Sequence, residues 1–274
     1  MPELSLALLA ILPLAAVELA KAARWRVLFG QHRPSYAVCL RALVLGQITN
    51  ALSPLRAGEA VRLGALKAQG AALVPGAGAL AGEKAIDAVC LGAIAFSVAG
   101  MSIFSRSSLG LLAGFLVVLT GIALALRGQS LRPLLERNTF TRRLRLSALL
   151  DVAEALRDPR TLAAVVAMTL VVWTAGLAAN LIVLAANGVP ADLYLAARVI
   201  VAGYLVNLLP SPPAQIGTFE AGVTVALTSA GVPLPAALAA AISLHIGYLA
   251  KLALLFGVSA LLMLPQTRWL RRTA

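Results

Sequence analysis

Gly46-x3-Asn50-x2-Ser53-Pro54-x3-Gly58-Glu59 interrupts an apolar stretch with residues that end helices, and Gly203-x3-Asn207-x2-Pro210-Ser211-Pro212-Pro213-x3-Gly217-x2-Glu220 interrupts another in the same way. Hydrocarbon tolerates broken backbone and carboxylates only where protein or a water-filled cavity satisfies them. A matched pair of such breaks points at a binding site near the middle of a membrane protein.

The rest of the chain supports that setting. Its 274 residues are 60% hydrophobic and 12% charged, with a mean hydropathy of +0.90. Several stretches reach the length of a bilayer span, and no short alternating strands of a barrel are visible. The expected fold is an all-α polytopic membrane protein. Fourteen prolines and 22 glycines suit kinked, closely packed membrane helices. The first apolar segment, 4–22, lacks a basic leader and a clear cleavage site and reads as a retained span. The two cysteines, Cys39 and Cys90, both sit in apolar segments, which supports neither a disulfide framework nor a metal site.

A formal charge of +12 raises the question of nucleic acid, but the basic residues are scattered between apolar segments without a nucleic-acid-binding pattern. They report topology instead. Lys21, Arg24, Arg26, Arg33 and Arg41 form one basic region, Arg127 through Arg160 a second, and Arg268, Arg271 and Arg272 a third. The positive-inside rule makes all three cytoplasmic, so the N-terminus lies outside and the C-terminus inside.

That assignment creates a parity problem, because Arg56, Arg62 and Lys67 follow the second apolar segment at once. A re-entrant hairpin resolves it. One half-helix, 37–52, enters from the cytoplasm, breaks at 50–56, and a second, 57–69, returns. The second half repeats the scheme in mirror image, with 193–209 and 217–231 as the two legs. The spacing agrees, since 203 − 46 and 207 − 50 are both 157. The reading is two inverted-topology repeats, 1–126 (with a connecting span at 109–126) and 161–274, joined by a basic cytoplasmic linker at 127–160. An alternative lets 193–209 and 217–231 cross completely. Within the linker, Leu146, Leu149, Leu150, Ala153 and Leu156 recur at helical spacing, as in an amphipathic helix on the cytoplasmic leaflet.

Ionisable groups at membrane depth are costly and become functional candidates by default. Glu59 and Arg62 are three residues apart, close enough to pair. Arg56 and Arg62 together make a phosphate clamp, since guanidinium groups bind phosphate bidentately. Glu59 and Glu220 occupy the first turns of their half-helices, where free amides favour negative charge. Glu83, Lys84 and Asp87 cluster in one span, with Lys84 within reach of Asp87. Their bland reading is an internally paired packing cluster; their functional one is a proton carrier or a group that pairs with Arg56 or Arg62. His245 is a second candidate for charge or proton coupling, and Lys251 a third unless it snorkels to the cytoplasm. Trp25 reads as an interface anchor. No catalytic constellation, metal-ligand spacing or cofactor-binding loop is present, so an enzyme is the weaker class.

Asn50-x2-Ser-Pro-Leu-Arg-Ala-Gly-Glu-x2-Arg62, then Glu83-Lys84-x2-Asp87, then Asn207-x2-Pro210-Ser-Pro and Gly217-x2-Glu220, resembles the lysylphosphatidylglycerol synthase transmembrane family across nearly the whole chain. The resemblance implies a lipid flippase of the bacterial cytoplasmic membrane, here a stand-alone member without the family's soluble aminoacyl transferase. It also implies a route lined by Asn50, Pro54, Arg56, Gly58, Glu59, Arg62, Asn207, Pro210, Pro212, Gly217 and Glu220. The chain departs from the family in having Lys84 and His245 where arginine is more usual, and Gln215-Ile216-Gly217 where a double glycine is common. Its implied substrates are an anionic phospholipid, a polyprenyl phosphate or a hopanoid, with no cofactor. The competing reading is a non-transporting partner that scaffolds a lipid-modifying enzyme or glycosyltransferase; a second copy of the chain is the other protein partner considered.

Overall fold

The computed structural model describes residues 8–53, 57–103, 147–209 and 211–261. Among these residues the chain is all-helical. The first half holds α1 (Ile11–Leu28), α2 (Tyr36–Leu52), α3 (Gly58–Ala68) and α4 (Leu73–Ile103). A short α5 (Ser147–Ala155) leads to the second half, α6 (Pro159–Ala186), α7 (Leu193–Val206), α8 (Thr218–Thr228) and α9 (Leu234–Leu261). The sequence-derived segments within the described residues appear as helices to within a few residues, except the first, expected to end at 22 and continuing to Leu28. Pro54, Arg56, Pro210, the 109–126 segment, the linker before 147 and the C-terminal tail lie outside the described residues.

Local chemistry sets the helix ends. Ser35 caps α2, its hydroxyl accepting from Val38 N at 3.3 Å. Asp192 caps α7 through Tyr194 N at 2.8 Å. Asp158 caps α6, accepting from the Thr161 hydroxyl at 2.8 Å and Thr161 N at 3.0 Å. Side-chain capping satisfies amides that have no partner inside the helix. These hydrogen bonds, the Thr161 hydroxyl first, hold the Asp158 carboxyl below its ordinary range.

Helix adjacency is nearly the same in the two halves. Each first helix packs on its second, α1 on α2 and α6 on α7; each second on its third; each third on its fourth. Each first helix also touches its fourth, α1 on α4 and α6 on α9. Between halves, α1 packs along α6, α2 packs on α9, and α7 packs on α4. Exchanging the halves maps these adjacencies onto one another, whereas the packing of α1 on α9 has no equally extensive counterpart between α6 and α4.

Polarity is distributed inside out relative to a water-soluble bundle. α6 and α9 are long and apolar enough to cross a membrane, and they expose Leu170, Val171, Ile242, Ile246, Leu254 and Phe256. Glu18, Arg24, Arg62, Glu83, His245 and Lys251 are buried instead. Extended apolar surface outside and charge inside is the arrangement a lipid solvent stabilises.

Two sequence expectations change here. Lys21, Arg24 and Arg26 are not loop residues but lie within α1, and Arg24 and Arg41 are buried. Positive charge near a span end reports topology only when it is free to meet headgroups, and these two side chains are not. Secondly, Val152 and Ala153 of α5, with Leu156 just after it, are buried in protein and not laid on lipid. Val152 and Leu156 join the core formed by Trp25, Leu66, Leu80 and Val165, and Val152 packs so close to Gly82 that a Cβ there would come within 2.8 Å of its side chain. Amphipathicity specified a buried face without specifying what buries it.

Candidate functional site

The first break is closed by the backbone. Asn50 sits in the last turn of α2, and its Oδ1 accepts from Gly58 N, the first residue of α3, at 2.8 Å. That bond satisfies one of the free amides at the helix start. The two helices meet at glycines: a Cβ on Gly46 would lie 2.7 Å from Gly58 O, and one on Gly58 would collide with Gly46 O and the Asn50 side chain. No side chain fits between them.

Next to this junction Arg62 makes a forked ion pair with Glu83 of α4, Nη2 to Oε2 at 2.7 Å and Nη1 to Oε1 at 3.4 Å, with both groups buried. Its guanidinium also stacks on the Trp25 ring, 3.7 Å from the centroid. Trp25 is fully buried, so it is a platform for Arg62 and not an interface anchor. Glu59 lies at the edge of Arg62's reach, 4.0 Å, and takes Lys84 Nζ as its closer partner at 2.5 Å. The expected Lys84–Asp87 pair is thereby replaced. Asp87 instead binds Arg24 of α1 at 2.6 Å, and Arg24 also donates to Thr169 of α6 at 3.2 Å. Glu83 and Asp87 share a helix face, yet each is neutralised by a different helix.

The second break is closed by side chains. Asn207 Oδ1 accepts from Gln215 Nε2 at 2.6 Å, eight residues along the chain, as Gly58 is from Asn50. Ala214 and Gln215 both have positive φ, 55° and 59°, a region costly for residues with a Cβ. His245 of α9 supports this turn. Its Nε2 meets Ala214 O at 2.7 Å and its Nδ1 meets Glu220 Oε1 at 2.6 Å. A carbonyl oxygen only accepts, so Nε2 carries a hydrogen. The contact with Glu220 then needs one further proton, on Nδ1 or on the carboxyl. Glu220 Oε2 accepts in turn from Gly217 N at 2.8 Å; Gly217 opens α8 at φ 84°, a conformation that favours glycine. Pro212 and Pro213 flank this turn, and the Pro213–Gln215 segment packs against α2 of the first half.

Lys251 does not snorkel. It is buried and binds Glu18 of α1 at 2.7 Å, and Glu18 also accepts from Gln47 of α2. Glu18, Lys21 and Arg24 were missing from the sequence-derived candidates. Their three-residue spacing inside an apolar segment was the available signal. Of the predicted residues, Arg62, Glu83, Lys84 and Glu59 come together at the first break, and Asn207, Gly217, Glu220 and His245 at the second. Asp87 and Lys251 belong to the ion pairs of α1. Among the described residues no group of three or more His, Cys, Asp or Glu side chains could hold a metal ion.

A family model described as the lysylphosphatidylglycerol synthase TM region matches residues 2–264. No curated protein and no solved structure matches the chain.

Proposed function

Because the chain belongs to the lysylphosphatidylglycerol synthase TM region family, a membrane family related to lipid handling, we propose that it is a lipid translocase. It moves an anionic phospholipid or another phosphate-bearing lipid between leaflets without chemical conversion. The observation that carries this reading is the line of buried ion pairs, Glu18–Lys251, Arg24–Asp87 and Arg62–Glu83, inside an exterior of lipid-facing apolar side chains. Such groups are expensive in hydrocarbon and are retained where polar cargo must pass.

In this proposal the two breaks are re-entrant turns of inverted repeats. The largely matching adjacencies of the halves support it, and so do the lengths of three of the four legs, α2 being longer at 17 residues. α3 and α8 have 11 residues each and α7 has 14, reaching about 16 and 21 Å against a hydrocarbon core of about 30 Å. Short legs that turn back inside the membrane fit such lengths, and half-helix starts facing a midplane site fit translocation. Headgroups cross between the halves while acyl tails stay in lipid. The shared proton of His245 and Glu220 offers a route for coupling to proton movement.

Reconstituted liposomes carrying labelled phospholipids or polyprenyl phosphates test the proposal by following leaflet exchange. The wild-type chain exchanges at least one of these lipids, and the Arg62→Ala, Glu83→Ala double variant loses that exchange. Undiminished exchange by the variant removes the site.

A further inference from the structure

Glu59–Lys84 and Glu220–His245 are the same kind of contact in the two halves. In each, a carboxylate in the first turn of the third helix meets a basic side chain of the fourth, and 84 − 59 and 245 − 220 are both 25. The distances are 2.5 and 2.6 Å. Their surroundings differ. Glu220 also accepts from Gly217 N and His245 also meets the Ala214 carbonyl, and the two side chains are 19% and 8% exposed. Glu59 and Lys84 are 40% and 56% exposed.

Depth makes that exposure informative. Lys84 lies about 16 Å along α4 from Leu73, in a helix of 31 residues, and so stands inside the span and not at its end. Ala81 and Ala88, one turn to either side of it, are exposed as well, and their methyl groups are too short to cover the pair. Charge exposed at membrane depth faces a water-filled cavity or a polar ligand and not acyl chains. In Arg24–Asp87, Arg62–Glu83 and Lys251–Glu18, by contrast, no side chain is more than 13% exposed. Those pairs are enclosed by protein, whereas an exposed pair contributes little to stability and opens readily.

A second cation is at hand when Glu59 leaves Lys84. Arg62 Nη1 lies 4.0 Å from Glu59 Oε2, and the buried Nε of Arg62 has no hydrogen-bond partner. The guanidinium has five donor hydrogens, so it can take Glu59 while it keeps Glu83. An anion that arrives at Lys84 thus replaces one negative charge by another, and the carboxylate it displaces is not stranded.

We propose that Lys84 is an exchange site, at which the phosphodiester of an entering lipid headgroup displaces Glu59 and Glu59 turns to Arg62. This rests on the translocase reading and names the residue that admits the headgroup. Glu59 is a resident competitor for the site; Glu220, enclosed with His245, is not.

Short-chain phosphatidylglycerol titrated into the purified full-length chain reads the exchange. Removal of the competitor strengthens binding, so Glu59→Gln binds about threefold or more tighter than wild type. Lys84→Gln binds about tenfold weaker, and Lys84→Arg stays within about threefold of wild type. Glu220→Gln gains no affinity. A pair with a purely structural role leaves Glu59→Gln and Lys84→Gln both neutral or both weaker, and that result overturns the proposal, as does an equal gain in Glu220→Gln. Misfolding only weakens binding and cannot produce the gain in Glu59→Gln; where either variant fails a thermal-melt control, the other decides by its own criterion. Chain-free glycerophosphoglycerol binding as tightly as the lipid overturns the lipid source and assigns Lys84 to a soluble phosphodiester. These affinity changes without leaflet exchange keep the site and remove translocation; leaflet exchange undiminished in Lys84→Gln keeps translocation and removes the site.

Discussion

The first break is locked and the second is latched. At the first, Gly46 and Gly58 bring two backbones so close that neither position accepts a Cβ, and a buried arginine–carboxylate pair closes the side. At the second, the residue equivalent to Gly46 by the 157-residue offset is Gly203, and a Cβ there would meet only the Phe219 ring at 3.6 Å, an ordinary contact. The neighbouring pair is again a cation and a carboxylate on the third and fourth helices of its half, but with the polarity reversed: Glu220 on α8 and His245 on α9. Arginine stays charged under all ordinary conditions, whereas the histidine–glutamate pair depends on one proton. Similar sequence breaks have thus been closed by different means, a glycine backbone contact beside Arg62–Glu83 at the first and a His245–Glu220 contact beside Gly222, packed against Val206, at the second.

The most severe test of that contrast is removal of one partner from each pair. Glu83→Ala leaves a buried guanidinium uncompensated and is expected to cost about 3–5 kcal/mol. His245→Ala, which removes the buried support of the partly exposed Ala214 turn, is expected to cost about 1–3 kcal/mol. Thermal unfolding in detergent, followed by tryptophan fluorescence, ranks them; equal losses would erase the distinction between lock and latch.

Glycine substitution probes the same contrast through packing. Gly46→Ala forces α2 and α3 apart and should cost about 1–3 kcal/mol. Gly203→Ala should fall within about 1 kcal/mol of wild type, helped by alanine's better helix propensity. A Gly203→Ala chain that melts as early as Gly46→Ala would show that the second break is as tightly sealed as the first.

Chemical labelling sharpens the comparison further. His245 holds the Ala214 carbonyl and Glu220 together, so a Ser211→Cys reporter should label faster in His245→Ala than in wild type. A Ser53→Cys reporter, beside the first break, should label at the same rate in both.

The smallest expected effect lies at the entrance to the second half. The Asp158 carboxyl is held below its ordinary range by Thr161, so its contribution to stability is complete above the unfolded-state value and is lost as pH falls through the lower folded-state value. Asp158→Ala should lower the melting temperature slightly at neutral pH, and the difference from wild type should vanish in acid.

Much of the helix order was legible in the sequence. Apolar runs, capping residues and Pro- or Gly-rich breaks are local signals, and they located α2, α3, α7 and α8 to within a few residues. Pairing was far less legible. Lys84 and Asp87 are three apart and looked like partners, but Lys84 reaches Glu59 and Asp87 reaches Arg24. Trp25 had the position of an interface anchor and proved to be the floor under Arg62. Lys251 was a coupling candidate with snorkelling as its bland alternative, and Glu18, 233 residues earlier, receives it instead. Spacing along one helix says which groups can meet, and it is silent about a competitor arriving from another helix.

By itself, then, the sequence determined the medium, the helix inventory and the existence of two related breaks, because hydropathy and helix-ending chemistry act over a few residues. Only the tertiary structure decided which charges pair with which. Ion pairs at depth are chosen by the packing of α1 against α2, α4, α6 and α9, and in a medium that cannot solvate charge that choice separates a structural pair from a site for a ligand.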